Sequence, residues 1–198
     1  LATRNPHKVR ELSRILSPYG VELVSLEDWP EAPDVAETGA TFAENALLKA
    51  RAIAAATGLV AVADDSGLVI DALNGMPGVL SARWSGRHGD DAANLALVLG
   101  QIADVADERR GAAFVCAAAA VAPGPGGAEV VVEGRVDGTL LRVPRGEGGF
   151  GYDPIFVPSG STQTTAEMTA EEKDAISHRG VAFRALAPRL ASLLRAVE

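Results

Sequence analysis

The chain has 198 residues, enough to bury a sizeable core as one large domain or two intimate lobes. Hydrophobic residues make up 47% and charged residues 22%, a globular profile that excludes a disordered or fibrous chain. Lys plus Arg number 18 against 26 Asp plus Glu, so the net charge is −8, which makes the chain a poor candidate for sequence-independent nucleic-acid binding through Lys/Arg–phosphate contacts but leaves room for a small polyanion held by local cations and a metal.

In chain order, Leu1-Ala2 reads as the end of a strand; the chain begins without a methionine, and residues before Leu1 are expected. Asn5-Pro6 reads as N-cap and first residue of a helix, with Val9, Leu12, Ile15 and Leu16 at helical spacing and a stop at Pro18 and Gly20. A strand is expected over 21–26, and an acidic, Pro-containing loop over 27–40. Thr41-Phe42-Ala43-Glu44 is a capping-box pattern opening an Ala-rich helix to about Thr57, closed by Gly58. Asn45 and Lys49, four residues apart, share one face of it. Strands are expected at about 59–63 and 68–72, flanking Ala63-Asp64-Asp65-Ser66-Gly67, then a loop at 74–78 and an amphipathic helix through Leu95, Val98, Leu99 and Ile102.

Strands at 112–122 and 129–133 read as a hairpin about Pro123–Gly127, with a further strand near 134–141. Cys116, the only cysteine, sits in the first of these as a small core residue; no intrachain disulfide can form, which fits a reducing cytoplasm. Residues 144–153 are a glycine-rich loop. Thr169-Ala170-Glu171-Glu172 is a second capping box, and Leu186, Leu190, Leu193, Leu194 and Val197 line a final helix that Pro188 should kink. Strands and helices interleave without a regular βαβ repeat, so the class is α/β with a mixed sheet. No apolar run reaches membrane-spanning length and no signal peptide is seen.

Four groups can carry chemistry. Thr3, Asn5 and Lys8 lie at a strand-to-helix junction, where free N–H groups, the helix dipole and a lysine suit phosphate; an ordinary cap with a solvated lysine has the same appearance. Glu37, Lys49, Asp64 and Asp65 suit magnesium, which takes one or two carboxylates plus substrate phosphates, although Asp, Ser and Gly are also ordinary turn formers. Gly146-Glu147-Gly148-Gly149-Phe150-Gly151 matches G-x-G-x-x-G, but Tyr152-Asp153-Pro154 points to extended chain after it, which rejects a dinucleotide fold. What remains is a loop presenting Phe150, Tyr152 and Asp153, where an aromatic can stack on a nucleobase or simply anchor the loop. Lys173 with Ser177-His178-Arg179-Gly180 gathers donors that would pair with base-edge oxygens, or forms a solvated basic helix end. His7 and His88 read as surface residues.

Together these segments resemble the inosine/xanthosine triphosphate pyrophosphatases, which remove deaminated purines from the nucleotide pool. The match is carried in order by Leu1–Lys8, Glu37-Thr38-Gly39, Glu44–Ala50, Ala63–Leu68, Gly148–Pro154 and Lys173–Gly180. The resemblance implies a single domain over 1–198 with an elongated mixed sheet flanked by helices, two lobes and a central nucleotide cleft. It also implies a homodimer and Mg²⁺-dependent cleavage of ITP, dITP or XTP to monophosphate and pyrophosphate; from composition and hydropathy a cytoplasmic protein with no nucleic-acid or membrane partner is expected. By motif position Thr3, Asn5 and Lys8 hold phosphates, and Arg4, Pro6 and His7 lie in the same substrate-binding segment. Glu37 and Asp65 bind metal. Asp65 is general base beside Asp64, Lys49 neutralises charge, and Ser66 contacts substrate. Phe150, Gly151, Tyr152, Asp153, Lys173, His178 and Arg179 form the base pocket. Arg4 departs from the glycine common in the family, which leaves phosphate contact or a solvent-facing side chain open. Two other readings share these residues: a catalytically silent nucleotide sensor, and a pyrophosphatase for other damaged nucleotides such as modified pyrimidines.

Overall fold

A computed structural model describes residues 1–197; the side chains of Pro6, His7, Asp28, Ala196 and Val197 lie outside the described set. The chain forms two compact units. Leu1–Asp65, Cys116–Gly134 and the chain from His178 on make the first; Ser66–Val115 and Arg135–Ser177 make the second.

Helix α1 spans Pro6–Leu16 and α2 spans Phe42–Thr57; strand β1 runs Ala61–Ile70, and helix α3 follows at Asp91–Gln101. Strands β2 (Gly111–Val121), β3 (Glu129–Leu140) and β4 (Phe156–Pro158) complete a sheet of order β1-β2-β3-β4. Helices α4 (Ala170–Ile176) and α5 (His178–Val197) close the chain, and α5 continues through Pro188. The α/β class is as the sequence indicates.

Local signals set the helix ends. The Asn5 side chain accepts from the Lys8 N–H at 3.4 Å and the Thr41 hydroxyl from the Glu44 N–H at 3.1 Å. Gly58 takes the left-handed conformation that ends α2, φ 69°. Glu44 reaches back to the Ala40 N–H at 2.6 Å, one residue before the cap. At Thr169 the full reciprocal box forms with Glu172.

The expected pair of strands about the Asp64-Asp65 turn is instead one strand. β1 runs unbroken through both aspartates, Ser66 and Gly67. No strand is assigned over 21–25; there the Leu1 backbone nitrogen donates to the Val24 carbonyl at 2.7 Å, and Ala2 N–H donates to Val62 O at 2.7 Å. The two short strands expected at 129–141 are the single strand β3. Its hairpin with β2 is closed by Ala122 N–H to Ala128 O at 2.9 Å, and Leu140 N–H meets Arg110 O at 3.0 Å at the far end. β3 and β4 pair antiparallel, with Thr139 opposite Val157.

In the first unit the strand period of two divides the core. Val62, Cys116, Ala118 and Ala120 pack with Leu12, Leu16, Phe183 and Leu186 of α1 and α5. Ala61, Ala63, Ala117 and Ala119 pack with Ala46, Ala50 and Ile53 of α2. Helices thus cover both faces, and the Ala117–Ala120 run is small enough to let them approach closely. The Cys116 thiol has no exposure, and burial raises its pKa well above the usual thiol value. The second unit has its own core, in which Leu68, Ile70, Val98, Phe114, Tyr152, Ile155 and Phe156 meet.

Candidate active site

The alternation that divides the core also divides the aspartate pair. Asp64 falls on the α1/α5 side with Val62, and Asp65 on the α2 side with Ala63. Asp64 accepts from Lys8 Nζ with both oxygens, at 3.1 and 3.0 Å, and from Arg179 Nε at 3.1 Å. Arg179, with a side chain only 5% exposed, also reaches Glu11 Oε2 at 3.3 Å. Burial opposes charge on Asp64, but the cations of Lys8 and Arg179 outweigh it and hold the carboxyl far below its usual range.

Asp65 has different company. Its Oδ1 accepts from Lys49 Nζ at 3.1 Å and its Oδ2 from Asn45 Nδ2 at 3.1 Å. The same Lys49 ammonium donates to Glu37 Oε1 at 2.8 Å. Burial, with the Glu37 charge, raises the Asp65 pKa against the opposing pull of Lys49. For Lys49, burial is overcome by Asp65, Asp64 and Glu37, so its pKa is raised and it stays charged. The chemical consequence is a division of labour. Asp64 is a fixed anion saturated by two cations, whereas Asp65, also buried but paired with one cation and an amide, has its pKa raised toward a proton-accepting range.

Glu37 and Asp65 converge on one ammonium from a loop and a strand. Two carboxylates are what a magnesium ion takes when substrate phosphates supply further oxygens, so the residues fit that ion. Among the described residues no group of three or more His, Cys, Asp or Glu converges as an all-protein metal cage.

Other expected residues find places of their own. Thr3 Oγ1 accepts from the Asn5 N–H at 3.1 Å ahead of α1. Arg4 pairs with Asp34 and donates to Ala32 O, at 2.8 Å for the latter, with its side chain still 41% exposed. The Pro6 and His7 side chains, expected in the substrate-binding segment, lie outside the described residues. Ser66 lies on β1, half-buried. His178 is buried at the first turn of α5.

In the second unit the glycine-rich segment is a loop that opens no helix, as expected. The extended chain expected after it begins instead with a short 3₁₀ turn, Asp153–Ile155, before β4. Asp153 is the hub. Its Oδ2 accepts from the Phe150 N–H at 2.8 Å and from Lys173 Nζ at 2.6 Å, and its Oδ1 from Thr165 Oγ1 at 2.8 Å. Lys173 Nζ also lies 5.2 Å from the centre of the Phe150 ring. Gly151 (φ 62°) donates to Asp91 Oδ2 at 2.9 Å, and the Tyr152 hydroxyl donates to Ser81 O at 2.8 Å. Lys173 and Arg179, expected to act as neighbouring donors, bond to different carboxylates.

Sequence reasoning missed Glu11, Asn45, Asp91 and Thr165. Asn45 carried a signal, since it shares the Lys49 face of α2. Glu11 lies one turn beyond Lys8, but nothing local marks its partner as a residue 168 positions away.

Residues 1–189 match the Ham1 family. The chain belongs to the Ham1 family. It is 64% identical over 196 residues to a dITP/XTP pyrophosphatase of Streptomyces coelicolor, covering 98% of this chain and 97% of that protein. It is 58% identical over 196 residues to one of Mycobacterium tuberculosis, covering 98% and 95%. Among solved Ham1-related structures, a nucleoside-triphosphatase/dITP/XTP pyrophosphatase from Mycobacterium abscessus aligns with TM-score 0.76 at 64% identity, covering 95% of this chain and 96% of that one. A HAM1 protein from Coxiella burnetii aligns with TM-score 0.86 at 40% identity, covering 96% of each chain.

Proposed function

We propose that this Ham1 protein hydrolyses deaminated purine nucleoside triphosphates (ITP, dITP and XTP) to the monophosphate and pyrophosphate, cleansing the nucleotide pool. Family membership supports the reaction class. The observation that carries the assignment of roles is the opposite partnering of Asp64 and Asp65. Asp64 orders the cations of the first unit, and Asp65, its pKa raised, is the carboxylate suited to take a proton from water.

In the proposed reaction a water oxygen attacks the α-phosphorus and its proton passes to Asp65. The bond from the α-phosphorus to its bridging oxygen breaks, and pyrophosphate leaves with the electron pair. Lys8, at the start of α1, and Lys49 offset the charge that develops on the leaving group. Thr3, Asn5 and the segment through Arg4, Pro6 and His7 bind phosphate oxygens, and Ser66 contacts substrate. Glu37 and Asp65 would hold Mg²⁺, which when bound polarises phosphoryl oxygens and acidifies a bound water. Arg179 holds Asp64 through Nε and stays among the residues proposed for the base pocket.

Recognition of the purine is assigned to Phe150, Gly151, Tyr152, Asp153, Lys173, His178 and Arg179. Hypoxanthine and xanthine carry an oxygen acceptor at position 6, where adenine carries an amino donor. Lys173 has one ammonium hydrogen engaged by Asp153 and others to offer. Set against adenine's donor, an unpaired buried donor costs about 1–3 kcal/mol, which is about 5-fold to 140-fold in selectivity. Guanine shares the 6-oxygen, so its rejection falls to its 2-amino group.

Turnover of ITP, dITP, XTP and the common triphosphates, with and without Mg²⁺, tests the substrate class. Turnover in ¹⁸O-water tests the bond broken: label is expected in the nucleoside monophosphate, and label in pyrophosphate or orthophosphate would rule out attack at the α-phosphorus. A homodimer, proposed from the family resemblance, is checked by light scattering on the eluting protein. A reducing cytoplasm suits the buried single thiol, and among the described residues no helix is long and apolar enough to cross a membrane.

A further inference from the structure

We propose that Asn45 is a positioning residue for this reaction. It fixes the direction of the Asp65 carboxylate and ties to it the loop that carries Glu37. The inference rests on the reading of Asp65 as the proton acceptor and extends it to a residue that does not touch substrate.

Asn45 lies in the first turn of α2 and has no exposed surface. Both ends of its side-chain amide are engaged. Gly39 N–H donates to Oδ1 at 2.7 Å, and Nδ2 donates to Asp65 Oδ2 at 3.1 Å. The partners themselves fix which end is which. A backbone N–H can only donate, so the atom facing Gly39 is the oxygen. An ionised carboxylate can only accept, so the atom facing Asp65 is the nitrogen. The amide therefore has one orientation, and it transmits position from the 37–40 loop to the strand.

The carboxylate is held from both sides. Lys49 takes Oδ1 and Asn45 takes Oδ2, from residues one helical turn apart on one rigid helix. Two donors on two oxygens stop rotation about the Cβ–Cγ bond. For proton transfer that matters, because a misplacement near 1 Å can cost about 100-fold in rate.

The loop end is just as tightly made. A Cβ on Gly39 would stand 2.8 Å from Asn45 Oδ1 and 2.7 Å from Glu44 Cβ, so the latch closes only on bare backbone. The neighbouring Glu44 holds Ala40 N–H at 2.6 Å. Successive residues of α2 thus fasten successive residues of the loop, two positions after Glu37. Glu37 itself meets Lys49, so the loop, the helix and Asp65 close a ring of contacts through Asn45 and Lys49.

Asn45→Asp, Asn45→Ala and Asp65→Asn separate this role from a structural one. Asn45→Asp keeps the shape and the acceptor for Gly39 but replaces the donor to Asp65 with a like charge. Its kcat for ITP is expected to fall about 100-fold while KM and the inhibition constant of pyrophosphate move less than about 3-fold. Amide exchange at residues 37–40 should stay near wild type in Asn45→Asp and become faster in Asn45→Ala, a readout that needs neither metal nor turnover. If Asn45→Asp keeps kcat within about 3-fold of wild type while Asp65→Asn is inactive, Asn45 serves the fold alone and only this inference fails. An active Asp65→Asn removes the reading of Asp65 itself. Unchanged exchange at 37–40 in Asn45→Ala would sever the proposed link to the Glu37 loop.

Discussion

Lys8 of α1 and Arg179 of α5 reach Asp64 from different helices, and each side chain is largely buried. Replacing Asp64 with Asn leaves both cations short of their counter-charge. Removing one partner of a buried pair costs about 3–5 kcal/mol, so Asp64→Asn should lower the urea midpoint strongly, and an unchanged midpoint would sink this account. The same group sets an acid limb. Its folded pKa lies below its unfolded value of about 3.9, so its stabilisation is complete above that pH and is lost as pH falls further. Stability measured from pH 7 to 3 should decline at the acid end in the wild type and be flatter there in Asp64→Asn. For base choice, Lys173→Met should lower kcat/KM for ITP much more than for ATP. Equal proportional losses would mean that Lys173 mainly holds Asp153 and the Phe150 loop. At this scale the chemistry-bearing residues were readable from type and motif, but their partners were not. Nothing local distinguishes the Asp64 that meets Arg179, 115 positions on, from the Asp65 that meets Asn45.

Elements were legible where the signal is local. Thr41, Gly58 and Thr169 mark helix ends because a cap involves only a few neighbouring residues. They were misread where tertiary contacts override local preference. Asp-Asp-Ser-Gly looks like a turn because its residues bond readily to their own backbone. In β1 those carboxylates have cations from three helices, and Gly67 serves a close approach within the second unit. A methyl there would run into Ser81 Oγ and the Gly78 carbonyl, while Ser81 Oγ accepts from Leu68 N–H at 2.9 Å. Gly67→Ala should therefore destabilise by about 1–3 kcal/mol, read as a lower melting temperature. A variant as stable as wild type would show that Ser81 yields freely. The missing strand at 21–25 has the same lesson: an apolar run permits a strand, but ladder partners decide it.

Across the whole molecule, class and family could be read from interleaved patterns and six ordered motifs, while strand order beyond the β2–β3 hairpin could not, since it depends on pairings farther apart in sequence. β1 itself contributes residues to both compact units. The lone thiol of Cys116 opens a further use of that architecture. It lies without exposure in the first unit's sheet, among α1 and α5 side chains, and burial disfavours its thiolate. In native buffer a thiol reagent should modify it orders of magnitude more slowly than in urea, with a rate set by how often that sheet opens. Labelling at the speed of a free thiol would contradict the packing. Otherwise the chain carries its own stopwatch: with no engineered probe and no competing cysteine, the modification rate times the breathing of the layer beneath the aspartates, and adding nucleotide would show directly whether substrate slows it.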